Sequence, residues 1–328
     1  MEDSIVIRDI SPNDKLELAS LYDKVWPENA GCFLHKTIWA IDTSEYSGVC
    51  AVDNDRIVGS RACFRANIYI GDKKIKSVQL RDSCVDKDYR RFGLFTRMNK
   101  VFLSSYFKTK DELIYNISVD ASRKAYEKIG WVYINTLSNL IRIPNLFRFL
   151  IHSKCDINKM SGNIVAEKSD IPNVDLIPDE LLQKRESLMI EAGLIHNRYD
   201  RETIQWRMGS DSNIRMLLVD GGGACFYKTG YKNGLHCCTI GEMFLANYSY
   251  SCFRKVLKAV EKTGKYDMVN VTVSHAHILY KYYRRALFLL NPQKVFLNHG
   301  VRVESPRMKK ICLDPNKWAL SDLDIDTF

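Results

Sequence analysis

The sequence predicts a mixed α/β protein built as two copies of one fold, and three observations point there. Residues 76–102 read as a strand, a basic loop and a helix. Residues 116–131 read as a strand, a helix of about two turns and a glycine stop. Elements of the first half then recur in the same order in the second, across 328 residues that give room for two domains of ordinary size. An apolar fraction of 46% supplies a core for each.

The elements of the first half follow in order. Residues 5–10 read as a strand and 12–25 as an amphipathic helix, with Ser11 or Asp14 near its start. Residues 49–52, the turn at 53–56 and residues 57–66 make a hairpin. Gly71 and Asp72 turn the chain back into 75–85, whose near alternation of apolar and polar residues is that of a strand. Leu94, Met98, Val101 and Phe102 then recur at helical spacing. A turn at Gly93 leaves the amides of residues 91–95 without intrahelical partners, at a helix N-terminus whose dipole favours an anion. Arg90 and Arg91 add charge. Taken alone, the loop reads equally as a plain strand-to-helix turn.

The second half repeats this grammar. Asn116-Ile117-Ser118-Val119 with Tyr126 seven residues on has a counterpart in Asn270-Val271-Thr272-Val273 with Tyr280. Ala62-Cys63-Phe64 matches Ala224-Cys225-Phe226, and Thr37-Ile38-Trp39 matches Thr203-Ile204-Gln205-Trp206. The expected domains are 1–145 and 170–328, joined by a polar linker at 146–169. Between Glu242 and Val260 the second copy has no basic glycine loop, so a single cofactor site is expected, in the first half. The second copy then completes the substrate cleft, serves as a scaffold, or does both.

Composition narrows the partners. A net charge of +9 implies anionic ligands. No nucleic-acid-binding motif accompanies it, so no nucleic acid is expected. The chain opens without an apolar leader and contains no apolar run near ~18 residues, which predicts a cytoplasmic protein with no membrane insertion. Residues 146–151 are the most apolar local stretch and carry Arg148; they read as a linker helix or interdomain contact, with a membrane-surface helix as the alternative. Ten cysteines without a C-x-x-C pair or Cys/His ligand spacing read as reduced thiols, with no metal site. Cys84 could act as a nucleophile, but a packing role is the better reading.

The loop resembles the Arg-x-x-Gly-x-Gly/Ala signature of GNAT acyltransferases, with Arg90 and Gly93 in register and Phe95 where a small residue is usual. Residues 116–131 resemble the family's Asn-x-Ala-Ser-x-x-x-Tyr-x-x-x-Gly-Phe block, with Val119 at the place of Asn and Trp131 at that of Phe. The resemblance implies a sheet that splays after the fourth strand and an acyl-coenzyme A held by Ser83, Cys84, Val85, Arg90, Arg91, Phe92, Gly93, Leu94, Phe95 and Thr96. It implies amides of Cys84 and Val85 that polarise the thioester, and Tyr126 as the acid that protonates the leaving thiolate. Asp82 would be the base; the competing reading is a structural ion pair with Arg81 or Lys87. His35 is a rival base in the segment that lines acceptor pockets.

Trp39, the 82–85 segment, Tyr199-Asp200, Trp206-Arg207 and the terminal stretch from Trp318 through Asp324 and Asp326 to Phe328 together resemble tandem GNAT-type proteins of bacterial surface-polysaccharide clusters. That resemblance implies an N-acetyltransferase taking acetyl from acetyl-CoA to a primary amine of a small substrate, a nucleotide-linked amino sugar. Trp39 and Trp206 would stack on the acceptor and Arg207 would hold a phosphate, although helix tryptophans are also common in cores. The alternatives are an aminoacyl-tRNA-dependent peptidyl transferase and a non-catalytic acyl-CoA-binding regulator. The protein is expected as a monomer or homodimer.

Overall fold

The computed structural model describes residues 4–27, 31, 33–42, 48–107, 112–118, 120–160, 164–209, 213–292 and 297–325, with backbone only at Arg65, Asp120, Ala121 and Ser122. Val119, Cys32, Asp326 and Phe328 lie outside the described residues. The chain forms two compact units, one of residues 1–68, 74–134 and 298–313, the other of residues 69–73, 135–297 and 314–328.

The first unit runs β1 (Val6–Asp9), α1 (Lys15–Val25), α2 (Phe33–Asp42), β2 (Gly48–Asp53), β3 (Arg56–Ala66), β4 (Ser77–Val85), α3 (Leu94–Tyr106), β5 (Leu113–Ser118), α4 (Asp120–Glu127) and β6 (Val132–Ile134). Its sheet order is β1-β2-β3-β4-β5, then the strand Asn298–Val303, then β6. Leu94, Met98, Phe102 and Tyr106 recur every fourth residue on α3 and pack with Val78, Leu80, Ile114, Tyr126 and Trp131 on one face of the sheet. Leu18, Leu21 and Tyr22 of α1 cover the other face with Ile41, Cys50, Ile57 and Cys84.

Two irregularities shape the middle of this sheet. β4 and β5 pair in parallel only from Ser77↔Leu113 to Gln79↔Tyr115. Both strands continue further, so the sheet opens between them, as the resemblance implies. On its other side β4 bulges: the register with β3 passes from Ala62↔Arg81 to Ser60↔Cys84, and Asp82 takes φ +39°.

The second unit runs β7 (Leu137–Arg142), α5 (Leu146–Ser153), α6 (Asp179–Glu191), α7 (Arg201–Met208), β8 (Arg215–Val219), β9 (Gly223–Lys232), β10 (Leu235–Leu245), α8 (Tyr250–Lys262), β11 (Met268–Ser274), α9 (Tyr280–Arg285) and β12 (Leu289–Leu290). Its sheet places β9, β10, β11, β7 and β12 side by side, with β8 on β9. β10 and β11 are also parallel and also part early, after Thr239↔Asn270. The order α6-α7-β8-β9-β10-α8-β11-α9 repeats α1-α2-β2-β3-β4-α3-β5-α4.

A cut at residue 145 does not reproduce these units. Leu137–Arg142 lies in the second sheet between β11 and β12, and Asn298–Val303 lies in the first between β5 and β6. One strand is exchanged in each direction. Alternation of apolar and polar residues marks a strand but not its neighbour, because any partner of matching register satisfies its backbone groups. The expected linker is also partly structure: Phe149 of α5 packs with Ile141, Met160 and Leu235, while Leu146 and Phe147 are exposed.

Candidate active site

The loop that reads as an anion cradle lies between β4 and α3. Arg91 and Gly93 both take left-handed backbone, φ +73° and +67°, and Gly93 starts α3 with no side-chain cap. The amides from Arg91 to Thr96 meet no acceptor among the described residues. A Cβ added at Gly93 would meet nothing within 4 Å, so the space above the helix end is open to a ligand. These are the properties a pyrophosphate requires: unsatisfied donors, a favourable dipole and close access. The residues present therefore fit coenzyme A.

Beside the cradle, the opening between β4 and β5 exposes strand backbone. Asp86 N donates to Val58 O on β3 at 2.9 Å, so ladder alternation turns the Val85 N–H the other way, towards the opening. By the same alternation the Cys84 amide faces β3, which leaves Val85 as the donor of the expected pair. Burial pushes the Cys84 thiol well above its ordinary range, which removes it as a nucleophile.

Tyr126 on α4 is buried, with Phe95 edge-on at 5.2 Å and Trp131 at 5.1 Å. Phe95 thus packs behind the loop against Tyr126 rather than over the cradle. The Tyr126 hydroxyl makes no hydrogen bond among the described residues. Arg61 of β3 completes the surround, its guanidinium carbon 4.9 Å from the Tyr126 ring centroid. Sequence reasoning missed Arg61; its signal is a lone cation inside the apolar run 57–64.

Asp82 is correctly sited on β4 but chemically occupied. Its carboxylate pairs with Arg81 and with Lys36 Nζ at 3.4 Å. Burial raises its affinity for a proton, the Lys36 and Arg81 cations lower it, and the cations prevail, so the group sits below the usual carboxylate value. A carboxylate held this low is a weak proton acceptor at neutral pH. The ion-pair reading stands in place of the base, with Lys36 rather than Lys87 as the second cation. His35 is exposed on α2, and Trp39 is core, buried against Phe64 at 5.8 Å.

In the second unit the corresponding features are closed. The α8 N-terminus is capped by Ser249, whose hydroxyl accepts from Cys252 N at 3.3 Å. The opening between β10 and β11 is filled by the unit's own tail: Thr272 N donates to Asp322, and Ser274 N donates to Leu320 O at 2.9 Å. Arg207 is buried and donates to the carbonyls of Leu323 and Ile325, so it clamps this tail instead of meeting a phosphate. Trp206 is half-buried on α7. Burial raises the Asp322 carboxyl to about 7. Glu242 behaves oppositely: burial raises it, but His277 at 3.1 Å and Arg185 at 3.0 Å bring it down to about 2.

Residues 6–134 match the family model of the acetyltransferase (GNAT) domain. The match covers less than half of the chain and supports an acyltransferase. Among solved structures, a GCN5-related N-acetyltransferase from Kribbella flavida superposes with TM-score 0.60 at 10% identity, over 91% of this chain and 71% of the other. One from Anabaena variabilis gives 0.61 at 10% identity, over 92% and 73%. A putative acetyltransferase from Pyrococcus horikoshii gives 0.56 at 13% identity, over 92% and 90%. Likeness at such identity concerns the fold alone. No curated protein matches the chain. Among the described residues no helix is long and apolar enough to cross a membrane.

Proposed function

We propose that the protein is an N-acetyltransferase that moves an acetyl group from acetyl-CoA to a primary amine of a small substrate, using one site in the first unit. The uncapped, open helix end at Gly93 beside the β4–β5 opening carries this reading. Acetyl-CoA supplies an activated acyl group as a thioester. The amides from Arg91 to Thr96 hold its pyrophosphate, with Arg90 and Arg91 at the rim, and the Val85 N–H polarises the carbonyl. The acceptor nitrogen bonds to the carbonyl carbon, the C–S bond breaks with its electron pair going to sulfur, and the Tyr126 hydroxyl gives sulfur a proton. With Asp82 tied to two cations, the proton lost by the amine passes to water.

The second unit is a diverged copy of the same fold that serves as scaffold, its cleft taken by its own tail; the chain is in this sense a tandem protein. A nucleotide-linked amino sugar is the acceptor class we favour, on the sequence resemblance and the basic charge. Thiol release from acetyl-CoA should be followed with amino-sugar nucleotides, polyamines and peptides as acceptors. Amine-dependent release with an acetylated product supports the proposal. Binding of acetyl-CoA without release for any amine would replace it with the regulator reading.

A further inference from the structure

Arg61 presents an electrostatic problem that the described residues of the first unit do not solve. Its side chain is fully buried, yet no carboxylate of the described residues pairs with it. Nε donates to Asn99 Oδ1 at 2.8 Å and NH1 donates to Ser83 Oγ, both neutral acceptors. NH2 finds no acceptor at all among the described residues. Phe102, at 5.6 Å from the guanidinium carbon, and Tyr126 supply only ring faces. Burial correspondingly lowers its affinity for the proton. A buried cation without a counter-charge is destabilising, a cost that packing of an apolar side chain would avoid.

The location suggests what the missing charge is. Ser83 lies on β4 beyond the last β4–β5 pair, and Tyr126 is the residue whose proton we assign to the leaving sulfur. We propose that Arg61 is the counter-charge for the thiolate that departs from the acyl donor, acting beneath Tyr126. This rests on the acetyl-CoA reading above. As the C–S bond breaks, its electron pair collects on sulfur; the guanidinium stabilises that charge until the Tyr126 proton reaches it, and solvent reprotonates the tyrosine oxygen. In a water-excluded cleft a fixed cation acts more strongly than it would in water. Asn99 holds it in place, since Asn99 Nδ2 also donates to Phe95 O at 2.7 Å and ties the guanidinium to the first turn of α3.

The test reads the sulfur directly. Free coenzyme A is titrated in the presence of saturating protein, and the thiolate is followed by its ultraviolet absorbance. The wild type should raise the thiolate-to-thiol ratio of bound coenzyme roughly 10- to 1,000-fold over the free thiol. Arg61→Met should abolish that gain while melting no lower than the wild type, and Arg61→Lys should restore part of it. Kinetics with acyl thioesters of graded thiol acidity should show the Arg61→Met loss growing as the leaving thiol becomes less acidic. A bound coenzyme whose thiol titrates as in free solution overturns the proposal even if no variant folds, because the wild type alone gives that answer. An Arg61→Met loss equal for all leaving groups and accompanied by a lower melting temperature also overturns it, in favour of a structural role. Failure of the wild type to bind coenzyme A at all would instead overturn the acetyl-CoA reading.

Discussion

Replacing Gly93 by alanine separates the cradle from the fold. The residue sits at φ +67°, where a side chain costs about 1–2 kcal/mol of backbone strain, yet the added methyl would touch no protein atom within 4 Å. The expected loss of stability is therefore that strain alone, roughly 2–8 °C in Tm for a unit of this size. The methyl does occupy the space through which a phosphate approaches the loop amides. Each charge-assisted hydrogen bond lost there removes about 1.5–3 kcal/mol, or roughly a 10- to 150-fold rise in Kd. Gly234, in the turn between β9 and β10, is a matched control: φ +85°, again nothing within 4 Å, and no adjoining helix end. Gly234→Ala should cost similar stability and leave coenzyme affinity unchanged. Thermal melts and calorimetric titration with acetyl-CoA on both variants give the comparison. Equal affinities for the two would refute the cradle argument.

Other perturbations follow from the same geometry. Tyr126→Phe should lower kcat by about 10²–10⁴-fold with Tm unchanged, since the hydroxyl has no described hydrogen bond to lose; full activity across pH would remove the acid. Asp82→Asn should destabilise by about 3–5 kcal/mol, because Arg81 is left buried without its partner, while kcat of the folded fraction falls less than tenfold; a kcat collapse with stability intact would reinstate Asp82 as base. Burial lowers the His299 imidazole from 6.5 to about 3. Its stabilising contribution is thus present above pH 6.5 and is lost as pH falls towards 3, about 2 kcal/mol by pH 5; melts of His299→Gln should show a flatter profile over that window, and an unchanged slope would contradict the assignment.

Legibility followed the range of the interactions. The loop at Gly93 and the helix that carries Tyr126 lie in contiguous stretches whose turn and helix period are local properties, so these elements could be placed from the sequence. What failed was non-local. Nothing in residues 298–303 says that their backbone pairs with β5 and β6, or that His299 is buried beside Tyr115 there. Arg207 has the composition of a phosphate ligand, and only the fold brings the carbonyls of Leu323 and Ile325 to it. Asp82 has the chain position of a base; Lys36, which neutralises it, comes from another element. Arg61 is visible as a cation in an apolar strand, but that no described residue gives it a counter-ion is a property of the packed interior.

The central claim, one coenzyme site in a chain with two similar folds, is tested most directly by stoichiometry. Isothermal titration of the intact protein with acetyl-CoA should give one site per chain, lost or strongly weakened in Gly93→Ala. No site, two sites, or one site indifferent to Gly93 would contradict the account.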